Sequence, residues 1–446
     1  MALLVALLAA SSGCKGSRVE QAPTDVLLLV VDTLRADHLS LYGYSRDTSP
    51  ALNRLAADAV VFERAHSQAP CTFPSMNSLL TSRFPLEFIG QGKGNLAIPD
   101  GIPTLASVLR EHGLATFAAS ASEVVRATPS RHNRVGGYQR GFDVFDEGCV
   151  GQPASCLNAR GRGFLDEGPA PFFIYLHFME PHSPYQPPPE HRRRFAGPYA
   201  GNALIAAGMP TPIEDLVYKQ GRPDLVSAAD VVHLRDLYDE EISYFDEQLD
   251  DLFRLLRERK LLDSTIVILA ADHGESFDEH GSYTHCRTIY DSETHTPLLM
   301  WIPGVSGRRV AAPAENLDIL PTVVDYLGFA PPAGVRGRSV RPVVEGRPEE
   351  PPRVARSFHK QMRSINDERY RVMLDVTSGW TAAFDRASDP AETIDLLATS
   401  RPPQPVVALR ARLLASVAEI EGNRVLQNVR AGERVEESLR SLGYLQ

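Results

Sequence analysis

The chain has 446 residues, of which 43% are hydrophobic and 23% charged, a globular composition with room for one large domain and a smaller one. Its formal net charge is −10, with 46 Lys and Arg against 56 Asp and Glu. Because phosphate backbones are bound by clustered cations, and this chain has no long run of Lys or Arg, these values argue against nucleic acid as a partner. Any anionic ligand must be bound locally.

Residues 1–14, MALLVALLAASSGC, form an uncharged apolar run that is too short to span a membrane and is typical of a secretory signal. Cys14 after Ser-Ser-Gly resembles a bacterial lipoprotein cleavage site, at which the cysteine is lipidated. We therefore expect export to the periplasm or cell envelope, a membrane anchor at Cys14 and a polar tether over residues 15–24. The alternative is a buried N-terminal helix.

The other four cysteines lack the spacing of a zinc site. In an exported protein, Cys149 and Cys156 of the loop GCVGQPASC could close a small disulfide. Cys71 and Cys286 lie in the two stretches that we identify below as catalytic. We expect these two either to be buried by packing or to pair with each other.

The first strand is predicted at residues 26–31, a continuous apolar run of the kind that is buried on both faces. It ends at Asp32. Open α/β sheets bind ligands at the carboxyl ends of their strands, so Asp32 is a candidate site residue; the alternative is a helix cap. Residues 49–59 then predict a structural helix.

The stretch 69–84, APCTFPSMNSLLTSRF, is where we place the nucleophile. Pro70 and Pro74 break the chain on either side of Thr72, and a helical pattern follows. Thr72 is therefore expected at a helix N-terminus, a position that suits an anion. The alternative is that Thr72 only caps the helix.

Helical and apolar strand patterns then alternate at residues 102–112, 115–119 and 171–178, which predicts a parallel sheet. The last strand opens into EPHSPYQPPP, whose prolines place His182 on a stiff turn. His182 is a candidate site residue or an ordinary exposed loop histidine. The cationic residues within 126–140 form either a substrate loop or a solvated surface.

Residues 228–257 carry the longest helical pattern, with an apolar stripe that indicates a packing helix. We expect its acids to form a solvated face, with the last of them able to lie nearer the sheet: Asp239, Glu240, Glu241 and Asp246.

A further buried strand, STIVILAAD, ends in Asp272-His273-Gly274-Glu275. A carboxylate beside a neutral imidazole suits a divalent cation, and Gly274 permits the sharp turn that lets both reach it. The following stretch has more His and Arg residues than an ordinary loop, and we expect some of them to belong to the site and some to be structural. They are His280, His285, Arg287 and His295.

After a Pro-, Gly- and Arg-rich linker at 331–353, residues 356–374 predict short antiparallel strands, 385–397 a turn into a helix, and 405–420 an amphipathic helix. We therefore divide the chain into a catalytic domain, residues 25–345, and a smaller C-terminal subdomain, residues 346–446.

Five motifs together resemble the sulfatase family of the alkaline phosphatase superfamily, over residues 25–444: VDTLRADHLSLYGY, TFPSMNSLLTS, PHSPY, ADHGE with HGSYTH, and the terminal LRSLGYL. The resemblance implies an α/β fold, namely a doubly wound, mostly parallel sheet with helices on both faces, plus a smaller C-terminal α+β subdomain. It places a metal at the carboxyl ends of the strands. Matched residue by residue, it implies metal ligands at Asp32, Thr72, Asp272 and His273, the nucleophile at Thr72, and substrate anion contacts at His182 and His285.

The sequence also departs from the family pattern. Sulfatases that use formylglycine need Cys-x-Pro-x-Arg, but Thr72 stands at the cysteine position and Met76 at the arginine, with Cys71 one residue out of register. Thr33 replaces the second of the paired acids, and His273 stands where many sulfatases have Asn. Threonine with Asp-His resembles the branch that transfers phosphoglycerol or phosphoethanolamine, where the metal is typically Mn, Zn or Mg. We expect a divalent metal ion, one of Mn, Zn, Mg or Ca.

We therefore expect a metal-dependent hydrolase or transferase that acts on sulfuric or phosphoric esters, lipid- or glycan-linked, through a covalent intermediate on Thr72. Phosphoester chemistry is favoured because a sulfated Thr lacks the elimination that releases sulfate from formylglycine, whereas a phosphothreonine can be attacked again at phosphorus. One alternative is a true sulfatase that works without formylglycine. Another, suggested by Met76 and Thr33, is a catalytically silent, lipid-anchored binding protein.

Overall fold

The computed structural model describes residues 23–89, 98–99, 101–199 and 213–421. The expectations for the signal, for Cys14, for most of the tether and for the terminal LRSLGYL motif lie outside these ranges. Within them, no helix combines the length and the apolar character that crossing a membrane requires.

The described residues form sixteen strands: β1 Asp25–Val31, β2 Val60–Phe62, β3 Ala65–His66, β4 Ala115–Ser120, β5 Val144–Asp146, β6 Phe172–Phe178, β7 Thr265–Ala271, β8 Ser276–Phe277, β9 Tyr283–Thr284, β10 Leu298–Trp301, β11 Arg308–Val310, β12 Ala314–Glu315, β13 Ala355–His359, β14 Met362–Asn366, β15 Tyr370–Asp375 and β16 Thr381–Asp385. They also form ten α-helices: α1 Pro50–Leu55, α2 Thr72–Thr81, α3 Leu86–Ile89, α4 Leu105–Glu111, α5 Ala154–Glu167, α6 Ala228–Glu258, α7 Asp291–Thr294, α8 Ile319–Tyr326, α9 Arg341–Val344 and α10 Gln404–Glu421.

The main sheet has eight strands in the order β11-β2-β10-β7-β1-β6-β4-β5. β1 pairs in parallel with both β6 and β7, and β10 is antiparallel to its two neighbours. The predicted α/β fold with a mostly parallel sheet is confirmed.

Both faces of this sheet are covered. Alternate residues of β1 point to opposite faces, so Leu27 and Leu29 join one apolar cluster while Val26 and Leu28 join another, and all four are at most 2% exposed. α1, α5 and α6 pack on the first face, and α2, α4 and α8 on the second. Burying each such side chain contributes about 1.5–3 kcal/mol, which is why the strands read as continuous apolar runs.

The register of the central strands builds the site. Val31, the last residue of β1, lies opposite Ala271 of β7 and Phe178 of β6. The residues that follow β1 and β7 therefore emerge side by side at the carboxyl edge of the sheet, as the sequence predicts.

The C-terminal part is a four-stranded antiparallel sheet, β13-β14-β15-β16, covered by α10. Its core joins Val372 and Leu374 of β15 to Leu409 and Leu413 of α10. The smaller antiparallel subdomain is confirmed, whereas the boundary at residue 345 stays a prediction. The expected helix within 385–397 is wrong: only the single 3₁₀ turn Leu396–Ala398 forms there.

The expectation of a solvated acidic face on α6 is also wrong, because all four acids are buried: Asp239, Glu240, Glu241 and Asp246. Asp246 accepts hydrogen bonds of 2.7 Å from the backbone amides of Ala51 and Leu52, at the start of α1. Asp239 lies 2.8 Å from the guanidinium of Arg46. Loops close over this face of α6, and the acids satisfy the amides and cations that those loops bury.

Candidate active site

Two strand ends supply the candidate metal ligands. Asp32 follows β1, and Asp272 and His273 follow β7; ligand atoms of the three residues all lie within 4.8 Å of one another. His273 Nε2 lies 3.6 Å from Asp32 Oδ1 and 3.4 Å from Asp272 Oδ2. The structure thus brings Asp32 beside Asp272 and His273, which lie 240 and 241 residues further along the chain.

The chemistry of this donor set fits a divalent cation. His273 Nδ1 donates to the carbonyl of Gly274 at 2.9 Å, which leaves the Nε2 lone pair facing the two carboxylates. Asp32 Oδ1 and Asp272 Oδ2 are buried and have no hydrogen-bond partner among the described residues. Buried carboxylate oxygens without donors are costly, and a bound cation removes that cost.

The charges of the three candidate ligands also favour a bound cation. Burial and the nearby charge of Asp32 raise the pKa of Asp272 well above its usual value. Burial and then His285 lower the pKa of His273 to about 4, which keeps its imidazole neutral and able to bind a metal. Two carboxylates that repel each other and a neutral imidazole form a site that a cation would stabilise.

His177 is a residue of this site that the sequence analysis missed. It lies in β6, where its Nε2 is 3.3 Å from Asp32 Oδ2 and its Nδ1 is 2.6 Å from the hydroxyl of Tyr175. With both ring nitrogens bonded, His177 fixes the orientation of the Asp32 carboxylate. Its only signal in the sequence is a histidine inside the apolar run PFFIYLHF.

Thr33 is held in an unfavourable backbone conformation beside the ligands. This fully buried, β-branched residue has φ of 57°, in the left-handed region. The turn points its amide at Asp272 Oδ1, at 3.3 Å. Strain of this kind is typical of functional sites.

Thr72 is the first residue of α2, and its Oγ1 lies 3.2 Å from His273 Nε2. The capping alternative is wrong, because Cys71 occupies the N-cap position and the Thr72 hydroxyl faces the candidate metal ligands. The Ser75 hydroxyl, one turn on, donates to the carbonyl of Asp272 and ties α2 to the end of β7. Met76 is fully buried in the apolar core, so that position supplies no cation to the site.

A disulfide between Cys71 and Cys286 joins the start of α2 to the loop that carries His285. The amide of Cys286 also donates to the carbonyl of Pro70, at 2.8 Å. Of the alternatives for these cysteines, the structure shows the pair. Cys149 and Cys156 form the small disulfide that their spacing suggests.

The two candidate anion contacts lie beside the ligands. The ring centroids of His182 and His285 are 4.9 Å apart, and those of His285 and His273 are 4.8 Å apart. His285 Nδ1 lies 3.0 Å from Glu275 Oε1. Burial alone would lower the pKa of His285, but the charge of Glu275 raises it to about 9. Glu275 was not identified from sequence; the ADHGE motif contained it without indicating its partner.

Other candidates belong elsewhere. His295 stacks on His66 with ring centroids 5.2 Å apart and bonds to the carbonyl of Glu63, and His280 stacks on a tyrosine at 3.5 Å. Arg126, in the cationic stretch, forms an ion pair with Glu147 at 3.0 Å. These contacts give the three residues structural roles.

Comparison with known families gives the fold its name. A family model described as "Sulfatase" matches residues 24–329. The chain belongs to the sulfatase family. A second model, described as the C-terminal part of N-sulphoglucosamine sulphohydrolase, matches residues 278–419 of this sulfatase.

Similar proteins cover most of this sulfatase. A Delta 4,5-hexuronate-2-O-sulfatase of Bacteroides thetaiotaomicron is 23% identical over 86% of this chain and 86% of its own. Human arylsulfatase K is 24% identical over 88% of this chain and 82% of its own. Among solved structures, a 2-O GAG sulfatase has a TM-score of 0.72 at 20% identity, covering 90% of this chain and 93% of its own. The phosphonate monoester hydrolase of Agrobacterium radiobacter has a TM-score of 0.71 at 21% identity, covering 89% and 96%.

The protein is therefore an ester hydrolase of the sulfatase family. Members of the family generally depend on a divalent metal, and Asp32, Asp272 and His273 are the residues here that would hold it.

Proposed function

We propose that this sulfatase hydrolyses anionic esters through a covalent intermediate on Thr72, with Asp32, Asp272 and His273 as metal ligands. The observation that carries the proposal is the 3.2 Å distance between Thr72 Oγ1 and His273 Nε2. It puts a hydroxyl against the candidate metal ligands, at the position where formylglycine sulfatases carry their modified cysteine. Cys71 is bonded to Cys286 and is not available for that modification.

When bound, a divalent cation would lower the pKa of a hydroxyl that it contacts and would neutralise charge on a non-bridging ester oxygen. After the Thr72 hydroxyl has released its proton to water, its Oγ forms a bond to phosphorus or sulfur while the bond to the leaving alcohol breaks. His182 and His285 each use Nδ1 for a partner, Ser183 O and Glu275 respectively, and keep Nε2 for the substrate. One of them protonates the departing alkoxide. Water, or an acceptor alcohol in a transferase, attacks the Thr72 ester and restores the hydroxyl.

We propose that phosphate and phosphonate esters are cleaved faster than sulfate esters. The reason is chemical: attack at phosphorus can release Thr72 a second time, whereas a sulfothreonine lacks the elimination that formylglycine allows. The buried Met76 in place of the arginine removes a cation from the family pattern. The second candidate is sulfate ester hydrolysis, which the names of the similar proteins favour, including those that act on a sulfated hexuronate or bind a disulfated glucosamine.

Replacing Thr72 tests the nucleophile. We expect Thr72→Ala to lower kcat by about 10³-fold or more, as loss of a nucleophile does, and Thr72→Ser to retain turnover. Thr81→Ala is the matched control, because Thr81 lies on the same helix with its hydroxyl bonded to the Asn77 carbonyl at 2.6 Å. Quenching a reaction at steady state and finding a phospho or sulfo group on Thr72 by mass spectrometry would support the intermediate. Unchanged turnover in Thr72→Ala would refute it.

The reaction class is decided by a panel of chromogenic esters. Sulfate, phosphate monoester, phosphate diester and phosphonate substrates would each be tried with Mn, Zn, Mg and Ca. The highest kcat/KM on a phosphorus ester supports the first proposal, and the highest on the sulfate ester supports the second.

We also propose export with a lipid anchor at Cys14. Two disulfides among the described cysteines support an oxidising compartment. The test is to express the full chain and its Cys14→Ser variant in a bacterium and to compare palmitate labelling and membrane fractionation. Equal labelling of the two proteins would overturn the anchor.

A further inference from the structure

The hydroxyl of Tyr238 bridges two buried peptide groups in the turn that follows β1. It donates to the carbonyl of Thr33 at 2.7 Å and accepts from the amide of Arg35 at 2.9 Å. Tyr238 lies in α6, 203 residues after Arg35, and its side chain is fully buried. A helix whose sequence indicates only packing therefore contacts the backbone beside the candidate ligand Asp32.

Two aromatic neighbours fix the position of this hydroxyl. The Tyr238 ring packs edge-on against Phe277, with centroids 5.0 Å apart, and against His38, with centroids 5.1 Å apart. Burial raises the pKa of Tyr238 well above its usual value, so the hydroxyl keeps the proton that it donates. The hydroxyl is therefore held in one place as both a donor and an acceptor.

The bridged turn is the strained one. Thr33 has φ of 57°, and this left-handed conformation is unfavourable for a β-branched residue. A buried peptide group without a hydrogen-bond partner is also costly, so the two bonds from Tyr238 favour the turn that satisfies both the Thr33 carbonyl and the Arg35 amide. Tyr238 thus offsets the strain at Thr33.

In its left-handed form, the turn orients a candidate metal ligand. It points the Thr33 amide at Asp272 Oδ1, at 3.3 Å, and the His273 amide donates to the same oxygen at 2.8 Å. Both donors contact Oδ1, whereas Asp272 Oδ2 is the oxygen without a hydrogen-bond partner among the described residues. The turn also sets the direction of Asp32, which immediately precedes Thr33.

We propose that Tyr238 is a positioning residue for the metal site, which keeps the carboxylates of Asp32 and Asp272 in the arrangement that binds a divalent cation. It acts through its two bonds to the turn at Thr33. The inference rests on the proposed function, which assigns the metal ligands. Removing groups that orient metal ligands typically weakens metal binding by about 10–100-fold.

Equilibrium metal binding tests the inference without any turnover. The full chain, stripped with a chelator, is titrated calorimetrically with Mn, Zn, Mg and Ca, and the ion that wild type binds most tightly is used for every variant. We expect Tyr238→Phe to raise the Kd of that ion about tenfold or more, because the ring stays and only the two bonds are lost. Binding is measured at a temperature below the Tm of each metal-free variant, so that unfolding does not contribute.

Tyr42→Phe is the matched control. The Tyr42 hydroxyl also bridges two peptide groups, because it donates to the carbonyl of Phe62 at 3.1 Å and accepts from the amide of Leu298 at 3.3 Å. These groups lie in β2 and β10, which carry no candidate ligand. We expect Tyr42→Phe to bind the ion as wild type does. If Tyr238→Phe also keeps the wild-type Kd, its role is purely structural and the inference is overturned.

Thr33→Gly tests the route through the turn. Glycine adopts the left-handed conformation without strain, so the turn then depends less on Tyr238. We expect Tyr238→Phe to raise the Kd less in the Thr33→Gly protein than in wild type, and an equal rise in the two backgrounds would overturn this route.

The same titrations separate this inference from the proposed function. A wild-type protein that binds none of the four ions would refute the assignment of the metal ligands, and the inference with it. Ion binding that is equally tight in wild type and Tyr238→Phe would refute the inference alone.

Discussion

Cys286 is bonded through its sulfur to Cys71, the residue immediately before Thr72. The bond joins positions 215 residues apart in sequence and lies between the candidate nucleophile and His285. It holds together two parts of the site that otherwise meet through the packing of separate loops and one backbone hydrogen bond, from the Cys286 amide to the Pro70 carbonyl.

The disulfide predicts a specific loss of activity on reduction. We expect the Cys71→Ser/Cys286→Ser variant to lose about 10–100-fold in kcat, the range seen when the groups that orient catalytic residues are removed. Cys149→Ser/Cys156→Ser is the matched control. That disulfide joins two positions only seven residues apart in sequence and does not link the two parts of the site. Turnover is measured at a temperature below the Tm of every variant, so that a change in kcat reports the positioning of the site residues and not unfolding of the protein. Equal kcat in all three proteins would contradict the prediction.

Metal removal should destabilise the fold as well as stop turnover. Without a cation, Asp32 Oδ1 and Asp272 Oδ2 remain buried without partners. A cation that binds only the folded state stabilises it by RT ln(1 + [L]/Kd), about 2.7 kcal/mol at 100 times Kd. We therefore expect chelation to lower Tm, re-addition of the metal to restore it, and Asp272→Asn to abolish most of this response. If neither the chelator nor added metal changes Tm, the alternative of a catalytically silent binding protein is favoured.

The sequence predicts the central strands because their burial on both faces leaves long apolar runs, as in β1, β6 and β7. Short strands such as β2, with three residues, carry no comparable pattern and were not identified. The acids of α6 were misassigned because their partners are backbone amides and, for Asp239, side chains of distant loops. Helical periodicity reports which residues are polar, and it contains no information about what covers them.

The candidate site likewise contains residues that the sequence identifies and others that it does not. Asp32, Thr72, Asp272 and His273 lie at strand or helix ends within recognisable motifs, and the structure brings them together; their chemical roles stay predictions. His177 acts on a residue 145 positions away, so its contact depends on strand order. Sequence proximity could not reveal it.

His66 should make the protein sensitive to acid. Its ring is fully buried, with Nε2 3.1 Å from Asp291 Oδ1 and Nδ1 without a partner among the described residues. Protonating Nδ1 would bury an unsatisfied donor. Burial and then the charge of Arg386 lower its pKa from 6.5 to about 3.

The unfolded chain binds this proton more readily than the folded chain. The contribution of neutral His66 to the free energy of unfolding is therefore fully present above pH 6.5 and is lost as the pH falls towards 3. Between pH 6.5 and 4 the loss amounts to about 3 kcal/mol. We expect urea unfolding to show this loss in wild type, and a smaller loss in His66→Gln, which cannot titrate. His132→Gln, at an exposed position, should behave as wild type. A difference between wild type and His66→Gln that stays constant with pH would rule the mechanism out.

Of the arginines in the C-terminal sheet, we expect Arg371 to contribute most to the free energy of unfolding. Its side chain is fully buried, contacts Asp291 and the Ile289 carbonyl, and lies 3.3 Å from Glu392 Oε1. Arg371→Ala removes the ion-pair partner of the buried Glu392 and leaves Asp291 with Arg386 at 2.6 Å, which costs about 3–5 kcal/mol. Arg369, two residues earlier, is the matched control, because its ion pair with Asp385 is solvent-exposed on the arginine side. We expect urea unfolding to show a large loss for Arg371→Ala and almost none for Arg369→Ala. Adding Glu392→Gln to Arg371→Ala should recover part of the loss, since it removes the carboxylate that Arg371 no longer pairs. Equal losses in Arg371→Ala and Arg369→Ala would show that the buried network does not hold the subdomain in place.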